Sequence, residues 1–230
     1  MPKTFSIFLL GIFFSLASCF PTMAQQETEF AYKAETSISV TPQYLFSSGL
    51  KLGLTFPVFN KVNTISVNPV YYLGTTESEN LSDNGNPPLN VEFEGYGVDL
   101  MHKVFYHQTN TSADLQTGLY FGHGPRYRHF DITFRALDWV SFQESGYTFY
   151  EYGLADQKKT IDQYNYAFVN GFQLKSKELF VVDLYVGVAM KYSKTSSTHS
   201  NAPSYNENIW SFGYNGPILV TAMKLGVILP

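Results

Sequence analysis

Alternation with a period of two recurs in eight separate stretches of this chain, and it constrains the fold more than any motif does. Successive side chains of a strand point to opposite faces, so a strand with one apolar face alternates apolar and small or polar residues. Ile38, Val40, Pro42, Tyr44 and Phe46 open the series against Ser39, Thr41, Gln43 and Leu45. The pattern returns at 50–56, 65–73, 96–106, 119–127, 164–174, 180–192 and 219–229. Beyond the N-terminal 25 residues no window carries the i, i+3, i+4 spacing of a helix, and none has the apolar length of a membrane-spanning one. The expectation is an all-β fold of eight antiparallel strands. Pro42, Pro69 and Pro125 fall inside these stretches. Proline cannot donate to a ladder, so the strands are expected to bulge, begin or end near them.

The first residues read as an address. Lys3 precedes the apolar run 5–17 (FSIFLLGIFFSLA), and Thr22-Met23-Ala24 places small residues before a cut at Gln25. This is the layout of a secretory signal peptide over residues 1–24, with residues 25–230 as the folded domain. Leu16-Ala17-Ser18-Cys19 offers a second reading, a lipobox with Cys19 as the lipidated first residue. Both export the chain. Cys19 is the single cysteine, which excludes an internal disulfide framework and a zinc site built on several thiolates.

The connections alternate in length. Those at 60–63, 108–116 and 175–178 are short; those at 75–90, 135–159 and 194–208 are long. Residues 47–49 form a short first connection that breaks the rule. Short turns on one side and long loops on the other describe a barrel crossing an outer membrane, with an even strand count returning both ends to the periplasmic side. The composition of the two faces supports the same orientation. One face is apolar with tyrosines near strand ends (Tyr71, Tyr96, Tyr106, Tyr127, Tyr164, Tyr192); the other is Gly, Ala, Ser, Thr, Asn and Gln with isolated charges. A soluble barrel would carry its charge outside, whereas only 15% of this chain is charged and 17% is aromatic. That composition also excludes a disordered tail and a coiled coil. The net charge of −4 does not favour a nucleic-acid partner.

In signal peptide, alternating strands and loop asymmetry, residues 25–230 resemble the small eight-stranded outer-membrane barrels of the OmpA and OmpX type. The resemblance is one of pattern, and it implies a Gram-negative outer membrane, lipid as the surrounding partner and function in the external loops. An eight-stranded barrel is narrow enough to be filled by its own side chains, which speaks against a general porin.

Three groups of residues are candidates for function. The interior face collects Lys51, Asp99, Lys103, Arg126, Arg128, Asp183, Lys191 and Lys224. Buried charges must pair, so these are expected to form a network closing the lumen, with Asp99 opposite Arg126. The same register sets His102 opposite His123 on the outward face, an incomplete metal site without a carboxylate. The loop 138–156 carries Trp139, Phe142, Tyr147, Phe149, Tyr150 and Tyr152, residue types that contact a partner at low entropic cost. A lipid-modifying hydrolase would need a nucleophile, a base and an orienting acid. His107, His129 and His199 are the candidate bases, but no G-x-S-x-G motif is present. No nucleotide-binding glycine loop occurs either, and no cofactor is expected. The reading is a structural or surface-contact barrel without enzymatic activity. A lipid-modifying enzyme and a soluble or lipid-anchored periplasmic barrel for an apolar ligand are the alternatives.

Overall fold

The computed structural model describes residues 35–58, 62–76, 89–112, 115–176, 179–197, 209 and 211–229. The signal segment, Cys19 and His199 lie outside the described residues. The strands are β1 (Ser37–Val40), β2 (Gly49–Val58), β3 (Asn63–Thr76), β4 (Leu89–Ser112), β5 (Leu115–Glu144), β6 (Tyr147–Ser176), β7 (Phe180–Ser197) and β8 (Gly216–Ile228). Each pairs antiparallel with the next, and β1 also pairs with β8 through Ser37↔Ile228 to Val40↔Leu225, so the sheet closes into a ring. Closure leaves no edge along the paired stretch, which is how an antiparallel sheet satisfies its backbone without water. No described helix is long and apolar enough to cross a membrane, a statement that does not bear on crossing by strands.

Two expectations are corrected. Residues 42–46 do not continue the first strand. Val40 is its last residue, and Pro42–Ser47 form a short 3-10 turn with Pro42 at its start, where a missing N–H costs nothing. Ser48 closes that turn at φ 54 and donates its N–H to the Tyr44 carbonyl. The Thr41 N–H bonds to the Lys51 carbonyl and the Leu73 N–H to the Ser48 carbonyl, fastening the turn to β2 and β3. The first connection therefore runs from Thr41 to Ser48 and no longer breaks the alternation of lengths.

The second correction concerns 135–159, expected as a loop. It is a continuation of β5 and β6, which pair over their whole length from Leu115↔Ser176 to Glu144↔Tyr147. Ser145 (φ 51) and Gly146 (φ 84) make the two-residue turn, both at the positive φ that the right-handed twist of a hairpin favours. Alternation failed to reveal these strands for a physical reason. A period of two is written into a sequence only where one face is buried, and here both faces are exposed and both carry aromatics. Cross-strand ring pairs support the ladder instead, Trp139–Tyr152 at 5.3 Å and Phe142–Phe149 at 5.6 Å.

The prolines sit where the ladder can do without them. Between Lys51↔Val70 and Leu54↔Val67 the β2–β3 pairing is interrupted, and Pro69 lies in that gap. Between Asp99↔Arg126 and His102↔His123 the β4–β5 pairing is interrupted, and Pro125 lies there. Beside it, a Cβ on Gly124 would stand 2.0 Å from the Leu100 carbonyl oxygen, so the two backbones approach at a distance only glycine permits.

Candidate functional site

Side chains divide by which side of the ring they face, and the character of the two faces changes along the strands. In β5, Leu119, Phe121, Pro125 and Tyr127 face outward while Tyr120, Arg126 and Arg128 are buried inside. Past Tyr127 the alternation keeps its phase, but the chemical character of the two faces is exchanged. His129, Asp131, Thr133 and Arg135 take the outward positions, and Phe130, Ile132 and Phe134 are buried. β4 does the same, with Val91 and Phe93 inside and Glu92 and Glu94 outside, then Asp99 inside and Tyr96, Leu100 and Val104 outside. The change falls on one row of tyrosines, where Tyr71 pairs with Tyr96, Tyr127 with Tyr164, and Tyr164 with Tyr192. Below that row the outward surface is an apolar band, running down to Tyr106 and Phe180.

The interior behind this band holds the predicted charges. Lys51, Asp99, Lys103, Arg126, Arg128, Asp183 and Lys224 are all buried. Asp99 is the centre of one group: it takes the Lys51 ammonium and an Arg128 Nη1 at 2.5 Å, and Arg126 Nε stands 3.9 Å away. Arg126 is also its cross-strand partner. Asp183 is the centre of a second group, taking Lys103 and a Tyr120 hydroxyl that donates at 2.6 Å. Lys224, cross-strand from Asp183, donates to Asn68 Oδ1 at 2.8 Å, and the Asn68 amide donates to the Asp99 carbonyl at 3.1 Å. Lys191 stands apart, donating to the Ser211 carbonyl at 2.8 Å in the segment that enters β8. Sequence reasoning missed the aromatic part of this network. The Lys51 ammonium lies 4.8 Å from the Tyr44 ring and the Lys103 ammonium 4.6 Å from the Tyr120 ring. Tyr72 hydroxyl accepts from Arg128 Nε at 3.2 Å. Tyr72 and Tyr185 occupied the small-residue face of the alternation, which was the available signal. Lys175, paired with Glu35 at the end of the ring where β6 passes into β7, was missed as well.

The two outward histidines meet. His102 Nδ1 and His123 Nε2 are 3.3 Å apart with rings edge to face, and the Tyr166 hydroxyl is 2.8 Å from His123 Nδ1. Among the described residues no group of three His, Cys, Asp or Glu is placed to hold a metal ion. His107 sits near the β4–β5 turn, 3.0 Å from Thr109 Oγ1.

A third cluster stands just above the tyrosine row. His129 Nδ1 donates to Asp162 Oδ1 at 2.8 Å, and the Tyr127 hydroxyl donates to the same oxygen at 2.7 Å. The His129 hydrogen bond foremost, with Tyr127 beside it, holds the Asp162 carboxyl below the usual carboxylate range against partial burial. Asp131 is lowered too. Burial pushes it up, but the Lys158 ammonium at 2.9 Å and the Thr160 hydroxyl at 2.7 Å outweigh that. His129 Nε2 faces Asp131 at 3.7 Å. Both ring nitrogens thus look toward carboxylates, an arrangement that orients an imidazole without giving it a nucleophile to deprotonate.

Trp139, Phe142, Tyr147, Phe149, Tyr150 and Tyr152 are all exposed on the β5–β6 hairpin. They are not a loop cluster folded over the ring; they divide between two faces of a ladder. Trp139, Tyr150 and Tyr152 share one face and Phe142, Tyr147 and Phe149 the other. The ring pairing on either side ends lower, at Leu89↔Arg135 and Lys159↔Ser197.

No protein-family model and no curated protein matches the chain. Among solved structures it is similar to a crystal structure of CarO from Acinetobacter baumannii, at 15% identity and a TM-score of 0.33, over 88% of this chain and 98% of that one.

Proposed function

We propose that this chain is a small outer-membrane protein of a Gram-negative cell, crossing the bilayer as an eight-stranded up-and-down barrel. In this reading it is non-enzymatic: a structural barrel, sealed inside, that makes contacts at the cell surface through the β5–β6 hairpin. The observation that carries it is the change of polarity on the outward face at the tyrosine row. The outward face is polar just above Tyr127 and apolar below it, while inside the ring the aspartate-centred charge groups lie below the row and a cluster of Phe93, Phe130, Ile132, Phe134 and Ile161 lies above it. Water on both sides of a wall gives no reason for such a switch. An aqueous phase above and hydrocarbon below does, and tyrosines are at home where the two meet. The exposed aromatics of the hairpin then project outside the cell, where Trp and Tyr serve as contact anchors.

The test is membrane fractionation followed by electrophoresis of heated and unheated samples. The reading expects the protein in the outer membrane and a faster-migrating band without heating. A soluble protein with a single band would instead support the periplasmic alternative. A lipid-modifying enzyme is a second reading, favoured only by His129–Asp162 standing at headgroup height. It requires acyl release from an outer-membrane lipid extract that disappears in His129→Ala, and absence of release from the wild type removes it.

A further inference from the structure

The interior of the ring is unbalanced in charge. Behind the apolar band five buried cations, Lys51, Lys103, Arg126, Arg128 and Lys224, face two carboxylates, Asp99 and Asp183, which are the buried carboxylates among the described residues. The carboxylates are already engaged. Asp99 is taken by Lys51 and Arg128, and Asp183 by Lys103 and Tyr120. Lys224 donates to a neutral amide oxygen, that of Asn68, and Lys51 and Lys103 each already hold a carboxylate.

Arg126 is the residue left over. It is 8% exposed, and its Nε and Nη2 have no hydrogen-bond partner. Asp99, 3.9 Å from Nε, is beyond hydrogen-bond distance. Of its inward neighbours, Gly124 and Arg128 on β5 and Ala167 on β6 have no side-chain acceptor to offer, and Gln163 is turned to the Phe212 carbonyl, to which its amide donates. Asn165, directly across from it, has a buried Oδ1 without a donor. A rotation could bring that oxygen to the guanidinium, satisfying one donor and leaving the charge unchanged. A buried lysine can shed its proton to escape such a position; an arginine cannot. A desolvated, permanently charged group with vacant donors calls for a negative charge that the chain does not itself supply.

We infer that the interior binds a small inorganic anion of chloride size at Arg126, with the surplus positive charge of the network adding to the field that holds it. The site depends on the closed ring and its interior, not on the membrane reading or on any role of the hairpin. The narrow interior of an eight-stranded ring, filled by its own side chains, limits the ligand to a small ion and excludes a bulky organic anion.

The experiment uses the full chain refolded in non-ionic micelles, in halide-free buffer, titrated with sodium chloride or sodium gluconate at equal ionic strength. The thermal unfolding midpoint is followed by near-ultraviolet circular dichroism. A ligand bound only by the folded state raises stability in proportion to the logarithm of its saturation. The expected result is a midpoint higher in chloride by about 2–4 °C. Bromide should reproduce the rise, and Arg126→Met should abolish it while still showing the compact unheated band. Equal midpoints in chloride and gluconate would overturn the proposal, as would a chloride response undiminished in Arg126→Met. Should that variant not fold, crystals of the wild type grown in bromide decide. An anomalous peak within hydrogen-bond reach of Arg126 supports the site, and its absence there overturns it.

Discussion

Asp99 shows how much of the interior depends on one side chain. It is the shared acceptor for Lys51 and Arg128 and stands opposite Arg126. Asp99→Asn keeps the shape but leaves cations without their counter-charge, and should cost about 3–5 kcal/mol in urea unfolding of the refolded protein. Tyr120→Phe removes only the hydroxyl that Asp183 accepts and should cost about 1–3 kcal/mol. Outside the band, pH acts through Asp131 and Asp162. Both carboxyls are lowered on folding, so they contribute stability above the usual carboxylate range that is lost as pH falls through their folded values. The unfolding midpoint should therefore drop below about pH 4, the ordinary Asp range, with a smaller drop in Asp162→Asn. The members of the charge network were legible in the sequence because a charge on the small-residue face has only one place to go. Their partners were not, since which of three neighbouring cations Asp99 takes is decided by side-chain reach across three strands.

At the scale of elements, strands were readable where one side of the ladder is buried. The β5–β6 extension was not, because its two faces are equally exposed. Its stability rests on the turn and on paired rings, so Gly146→Val, which forces a β-branched residue to φ 84, should unzip the tip and leave the ring intact. Limited proteolysis would show new cuts in residues 136–157 and an unchanged heat shift. Replacing 136–155 by a two-residue Asn-Gly turn between the paired Arg135 and Asp156 should likewise preserve the ring while removing any surface contact the protein makes, read by binding of whole cells to the partner surface. Gly124→Val is the contrasting case. Its Cβ would meet the Leu100 carbonyl at 2.0 Å inside the wall, and no compact band should form. The first strand was drawn too long in the sequence because Tyr44 and Phe46 keep the alternating phase. Pro42, rather than hydrophobicity, decides where β1 stops.

For the whole molecule, the account turns on which face of the ring meets lipid. The proposed orientation, apolar face outward, accounts for the low charge and high aromatic content of the chain. An apolar band covers the outside of the ring, its charges are gathered within or above the tyrosine row, and aromatics mark the row and the projecting hairpin. The most direct test places a single tryptophan by turns at outward Leu184 and inward Ser66, with Trp139 and Trp210 replaced by phenylalanine, in vesicles of acyl-brominated lipid. Bromine quenches only fluorophores in contact with the hydrocarbon. The account predicts strong quenching at position 184 and little at 66. Equal absence of quenching at both positions, or the reverse order, would contradict it.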